Sequence, residues 1–177
     1  KFDNAGQRIG TEMKSVGEVM AIGRSFEEVL QKAIRMLNTP TDKKYLTRQV
    51  DANILDEIEH PTVNRIHAIF AALRSGTTVE EIHSMSLIDR WFLERLRNIV
   101  EIETSLLGTL DAEMLKRAKK AGFSDAQIAT FQKTTEQKIR ALRLKHKIKP
   151  VIKQIDTLAG EFPAKTNYLY LTYHGNE

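Results

Sequence analysis

Two Glu-x-x-His pairs, Glu57/His60 and Glu80/His83, are the residues whose spacing bears most directly on chemistry. Positions i and i+3 of a helix lie on one face about one turn apart. Each pair could therefore present a carboxylate and an imidazole to one metal ion, as in di-metal helical bundles. His60 directly precedes Pro61, which puts it at a helix end, and no further glutamates declare themselves as bridging ligands. Both pairs are expected to face solvent as ordinary polar residues. The five histidines are scattered, with no serine or aspartate partner at motif spacing. No two glycines are spaced G-x-G, which removes the dinucleotide fingerprint and the Walker loop. The absence of cysteine removes disulfides, thiolate metal sites and thiol nucleophiles. No catalytic, cofactor-binding or metal-binding residue is assigned.

A second pattern suggests nucleic-acid binding. Residues 122–146 read as a helix-turn-helix-like pair whose second helix opens a basic run, Lys138, Arg140, Arg143, Lys145, Lys147, Lys149 and Lys153, with no acid between its ends. Such a run could neutralise phosphates. Ala129, Ile139 and Leu142 fit the small and apolar positions of that motif, but its turn holds Lys133 where a glycine belongs. Free-standing DNA binding is therefore the alternative reading, and a solvated or protein-docking face the preferred one. Trp91 and Phe92 form the largest apolar pair on any predicted helix. Core packing is their first expectation, and partly exposed association anchors the second.

The elements that must carry these residues are helices. Ser25 with Glu28 opens the first, to about Leu37, with Phe26, Val29, Leu30, Ala33, Ile34 and Leu37 on its apolar face. Asn38 to Lys44 reads as a turn, and a short helix is expected near Ile54. Thr62–Arg74 is strongly periodic and stops at Gly76. Helices capped by Thr78 and Asp89 follow, the second with Phe92, Leu96, Ile99 and Leu106 on one stripe. Asp111, Ser124 with Gln127, and Thr134 with Gln137 open three more, and Pro150 closes the helical region. Residues 151–177, with "YLYLTY", predict an extended tail or short strand. A weak internal repeat aligns Gly76 with Gly122, Thr78 with Ser124 and Ile82 with Ile128, and a one-residue shift then brings Phe92 onto Ile139. The fold class expected is all-α: multihelical, two helical subdomains and an extended C-terminal tail.

The 177 residues suffice for one ordinary domain or two small helical ones, and the net charge of +4 is too balanced for a dedicated nucleic-acid coat. No apolar run reaches membrane-spanning length. A chain opening at Lys1 is expected to be a piece of a longer one.

The stretch "GTEMKSVGEVMAIGRSFEEVLQKAIRML" (Gly10–Leu37) resembles the segment following the first ATP-grasp unit of the carbamoyl phosphate synthetase large subunit. "IDRWFLERLRNIVEIE" (Ile88–Glu103), "LKRAKKAGFSDAQIA" (Leu115–Ala129) and "KQIDTLAGEFPAKTNYLYLTYHGNE" (Lys153–Glu177) resemble its next stretches in the same order. Met13–Glu18 is the most specific signature, followed by Asn167–Tyr173.

That resemblance implies a non-catalytic oligomerization (connection) domain between two ATP-grasp halves, one making carboxyphosphate and then carbamate, the other carbamoyl phosphate. It implies that residues 1–24 end the first ATP-grasp unit and that 25–150 form the helical domain, with subdomains at about 25–107 and 108–150. Residues 151–177 would lead toward the second unit. Implied partners are the flanking ATP-grasp domains, other large subunits and a glutamine amidotransferase subunit or domain, with neither nucleic acid nor membrane. ATP and Mg or Mn would belong to the parent's ATP-grasp units, and none to this chain. Cytoplasm, or an organellar matrix, is the implied location. Met13, Lys14, Ser15, Val16, Gly17, Glu18 and Arg24 are the expected inter-domain docking residues.

Overall fold

The computed structural model describes residues 6, 8–15, 17–37, 51, 53–163, 165 and 168–175. Among the described residues, eight helices and two short strands follow one another: α1 Phe26–Met36, α2 Ile54–Glu59, α3 Arg65–Arg74, α4 Val79–Ser86, α5 Arg90–Ser105, α6 Ala112–Lys120, α7 Asp125–Phe131, α8 Glu136–Lys145, β1 Val151–Gln154 and β2 Leu169–Thr172. The chain is thus multihelical, as expected. The tail adds a small antiparallel sheet in which Val151 pairs with Thr172 and Gln154 with Leu169. The expected turn at Asn38–Lys44 lies outside the described residues.

Local chemistry explains most helix ends. Thr78 and Ser124 each cap their helix with a complete reciprocal box, to Glu81 and Gln127. Asp111 accepts from the Met114 N–H at 2.8 Å. The cap of α8 is Thr135, not the expected Thr134; its hydroxyl faces the Lys138 N–H. Two caps cannot stand side by side, and Thr134 instead closes α7 by donating its N–H to the Ala129 carbonyl.

The residues divide into two compact units, Lys1–Met20 with Ile34–Glu101 and Ala21–Ala33 with Ile102–Glu177, so the division falls inside α1 and α5. In the first unit α3 is central and buried from His67 through Leu73. The short α2 packs on α3 and α4. Arg65 joins them, donating to the Ile58 carbonyl at 3.0 Å and the Ser86 carbonyl at 2.9 Å, and its burial lowers its pKa. In the second unit α7 packs on α8, and Leu115, Ala118, Phe123, Ile128 and Ile139 are buried.

Two expected apolar stripes are corrected. On α5 the buried residue is Leu93 (0% exposed), while Phe92 is 43% exposed. Phe92 stands at i−4 and Leu93 at i−3 from Leu96, so periodicity admits either, and tertiary packing selects Leu93. On α1 the most buried residues are Glu27, Glu28, Gln31 and Ile34, and Phe26, Val29, Leu30 and Ala33 are only half-buried. The reason is that the polar stripe has its own partners, described below.

Candidate functional site

The two Glu-x-x-His pairs are held by groups other than each other. His60 Nδ1 lies 3.0 Å from Asp56 rather than Glu57. Arg90 stands between Glu80 and His83: its Nε donates to both Glu80 oxygens at 2.8 and 2.9 Å, and its Nη1 to His83 Nε2 at 2.9 Å. His83 Nε2 is then the acceptor, so Nδ1–H donates to the Ile88 carbonyl at 2.7 Å. The guanidinium bonds hold the Glu80 carboxyl below its ordinary pKa. Among the described residues no three His, Asp or Glu converge as metal ligands.

The predicted docking residues are strung along exposed chain and not gathered into a pocket. Met13, Lys14, Ser15, Gly17, Glu18 and Arg24 are all exposed, and Val16 lies outside the described residues. Lys14 donates to the Arg8 carbonyl at 3.1 Å. Trp91 and Phe92 are not core residues, which corrects the first expectation for them. Trp91 is 53% exposed, and the two rings meet edge to face at 5.0 Å with Arg95 near the indole. Successive helix positions point about 100° apart, and with Leu93 inward the two aromatic rings are turned out.

The basic helix pair is also altered by packing. Arg143, counted in the phosphate-facing run, is 7% exposed. Its Nε and Nη2 both lie 3.1 Å from Asp125 Oδ2, and its Nη1 donates to the Ile148 carbonyl at 3.0 Å. Lys119, equally buried, donates to Asp125 Oδ1 and to the Phe123 carbonyl, each at 2.7 Å. Tyr173 lies across both cations, 5.1 Å from Lys119 and 5.8 Å from Arg143. Burial alone would raise the Asp125 pKa, but the hydrogen bonds and charges of Lys119 and Arg143 outweigh it and hold the carboxyl low. Burial likewise pushes the Tyr173 phenol up. Lys133 takes the left-handed conformation (φ 49°) that its turn requires without glycine. The cluster is a saturated set of ion pairs and rigidifies the unit.

A second polar centre gathers residues that the sequence offered only as local caps or as solvent-facing groups. Glu28 is buried and accepts from the Arg24 N–H at 2.8 Å and the Thr172 hydroxyl at 3.1 Å, and pairs with Lys32 at 2.8 Å. Gln31 donates to the Ala121 carbonyl at 2.9 Å and accepts from Gln127 at 3.0 Å. The one local signal was the expected cap: the Ser25 hydroxyl does accept from the Glu28 N–H, at 3.2 Å, while Gln31 and Lys32 stand beside a strong apolar face and solvent is the ordinary destination of such residues. Three of their partners, Ala121, Gln127 and Thr172, lie 90 to 144 residues away.

Capped helix pairs and a buried ion cluster define a helical packing module, with an aromatic pair on its surface. The profile of one family, "Carbamoyl-phosphate synthetase large chain, oligomerisation domain", matches residues 18–147. The chain belongs to that family, and its part is that of the non-catalytic oligomerisation domain. It is 45% identical over 187 residues to human "Carbamoyl-phosphate synthase [ammonia], mitochondrial", covering 100% of this chain and 12% of that protein. It is 45% identical over 178 residues to the "Carbamoyl phosphate synthase large chain" of Thermotoga neapolitana, covering 100% of this chain and 16% of the relative. "Multifunctional protein CAD" of Squalus acanthias is 46% identical over 180 residues, 99% of this chain and 8% of that protein. The chain therefore spans a small fraction of these relatives' length. DNA binding finds no support in this family. Among the described residues no helix is long and apolar enough to cross a membrane.

Proposed function

We propose that this domain tethers and orients two ATP-dependent synthetic halves of a longer polypeptide that makes carbamoyl phosphate from bicarbonate, ammonia and ATP. The observation that carries this reading is the similarity of the whole chain to a short stretch of much larger carbamoyl-phosphate synthases. Carbamate is labile, so its passage between two sites needs them at fixed separation, and packed helices supply a stiffness that a flexible linker lacks. Residues 1–24 would finish the first ATP-grasp unit, 25–150 form the connecting domain, with subdomains at about 25–107 and 108–150, and 151–177 lead to the second. Met13–Glu18 and Arg24 would dock on the preceding unit. ATP and Mg or Mn would bind in those units, a glutamine amidotransferase would supply ammonia in glutamine-using forms, and cytoplasm or an organellar matrix would house the assembly.

Trp91 and Phe92 would anchor association with a second copy, since large exposed rings desolvated at an interface centre contribute most to binding. Replacing both by alanine is expected to weaken self-association of the chain at least tenfold, read by sedimentation equilibrium. An unchanged dissociation constant would place the interface elsewhere. Replacing 25–150 in the full polypeptide by a flexible linker is expected to raise the ATP consumed per carbamoyl phosphate. Unaltered coupling would remove the orienting role.

A further inference from the structure

We propose that Glu28 and Lys32 form a latch that joins the segment entering the second unit to the segment leaving it, so that both flanking halves are attached at one place. This rests on the tethering reading above. Glu28 Oε2 holds the Arg24 N–H on the incoming side and the Thr172 hydroxyl on the outgoing side. Its other oxygen holds Lys32. The Lys32 ammonium donates to the Ile22 carbonyl at 2.8 Å and the Leu171 carbonyl at 2.6 Å. Residues 22 and 171 thus share one donor, which keeps their backbones within about two hydrogen-bond lengths of each other.

The surroundings leave the latch little freedom. A Cβ on Gly23 would lie 2.7 Å from Glu28 Oε2, and that carboxylate, held by three partners, has nowhere to give. A Cβ on Gly122 would lie 2.9 Å from the Glu28 Cα, so α1 rests directly on the turn after α6. On the outgoing strand the Thr172 hydroxyl also accepts from the His174 N–H at 3.1 Å, and the His174 ring bonds the Lys120 carbonyl at 2.9 Å. The second unit would then act as a clasp between the incoming and outgoing segments. Glu28 is a positioning residue whose effect on synthesis runs through the flanking halves.

The test has two readouts. The chain has no cysteine, so Arg24→Cys and Leu171→Cys place one nitroxide on each side of the latch. Their backbone groups, which make the bonds, are unchanged. Strong dipolar broadening of the electron paramagnetic resonance spectrum is expected, and its loss in Glu28→Ala and in Thr172→Val. Thr172→Val removes one hydroxyl and keeps the helical circular dichroism signal as a folding check. Broadening retained in both variants overturns the latch.

In the full polypeptide, Thr172→Val should leave the bicarbonate-dependent ATPase and the formation of ATP from carbamoyl phosphate and ADP within twofold. It should raise ATP consumed per carbamoyl phosphate at least twofold. An unchanged ratio with the latch open overturns the positioning role. Normal coupling with the whole helical domain replaced, but with the broadening lost on schedule, removes the tethering reading and leaves the latch standing.

Discussion

Two regions of this molecule are built to one plan and filled with different chemistry. Adding 46 to a residue number carries Ile69 onto Leu115, Gly76 onto Gly122, Thr78 onto Ser124, Ile82 onto Ile128, Leu87 onto Lys133, Asp89 onto Thr135 and Leu93 onto Ile139. The backbone follows: Gly76 and Gly122 have φ of 94° and 93°, and Leu87 and Lys133 have 56° and 49°. The one-residue shift expected at Phe92 disappears, because Leu93 is the buried counterpart of Ile139. Three side chains break the likeness. Leu73 and Val79, both buried, correspond to Lys119 and Asp125, and Arg97 to the buried Arg143. One copy buries aliphatic groups where the other buries an ion cluster. The scaffold therefore depends on glycine turns and caps, and either chemistry fills it when every buried charge is paired.

The largest effect should come from breaking the cluster. Asp125→Ala leaves Lys119 and Arg143 buried without their acid and is expected to cost about 3–5 kcal/mol. Val79→Ala, its counterpart, should cost about 2 kcal/mol through lost burial. Urea denaturation followed by circular dichroism measures both, with the single Trp91 reporting the first unit. The Asp125 contribution has a defined pH sense. Its folded pKa lies below the unfolded value of about 4, so the stability is complete above that pH and is lost as pH falls through the folded value. Wild type and Asp125→Ala should therefore converge in acid, and a gap that persists there would assign the effect to packing.

Next come the two glycines. Gly76→Ala meets open space and pays only for its left-handed backbone, about 1–2 kcal/mol. Gly122→Ala meets the same backbone cost and also the α1 backbone at 2.9 Å, which should add about 1–3 kcal/mol. Equal losses in denaturation midpoints would mean that α1 yields. The smallest effect tests the plan itself: Thr78→Ala and Ser124→Ala should each cost about 1 kcal/mol, and by similar amounts. A cap that mattered in one copy alone would break the equivalence.

The two capping boxes, the glycine stops and the helical periods were legible because each is written within four or five neighbouring residues. The association of Trp91 with the surface was legible only as one of two options, since Phe92 and Leu93 both satisfy the period. Nothing local announced Glu28, Lys119 or Arg143 as buried, because a charged residue declares its place only through its partners: Thr172 lies 144 residues from Glu28, and Asp125, 6 and 18 residues from Lys119 and Arg143, meets both only once the helix pair has packed.

What the sequence by itself determined was the helical order, the turn chemistry and the family, all properties of short windows and of their succession. The tertiary structure alone decided which face of α1 and α5 turns inward, that the tail returns as β2, and that one carboxylate gathers both ends of the second unit. Those outcomes depend on desolvating charges against groups up to 144 residues distant, an energy that no local window contains.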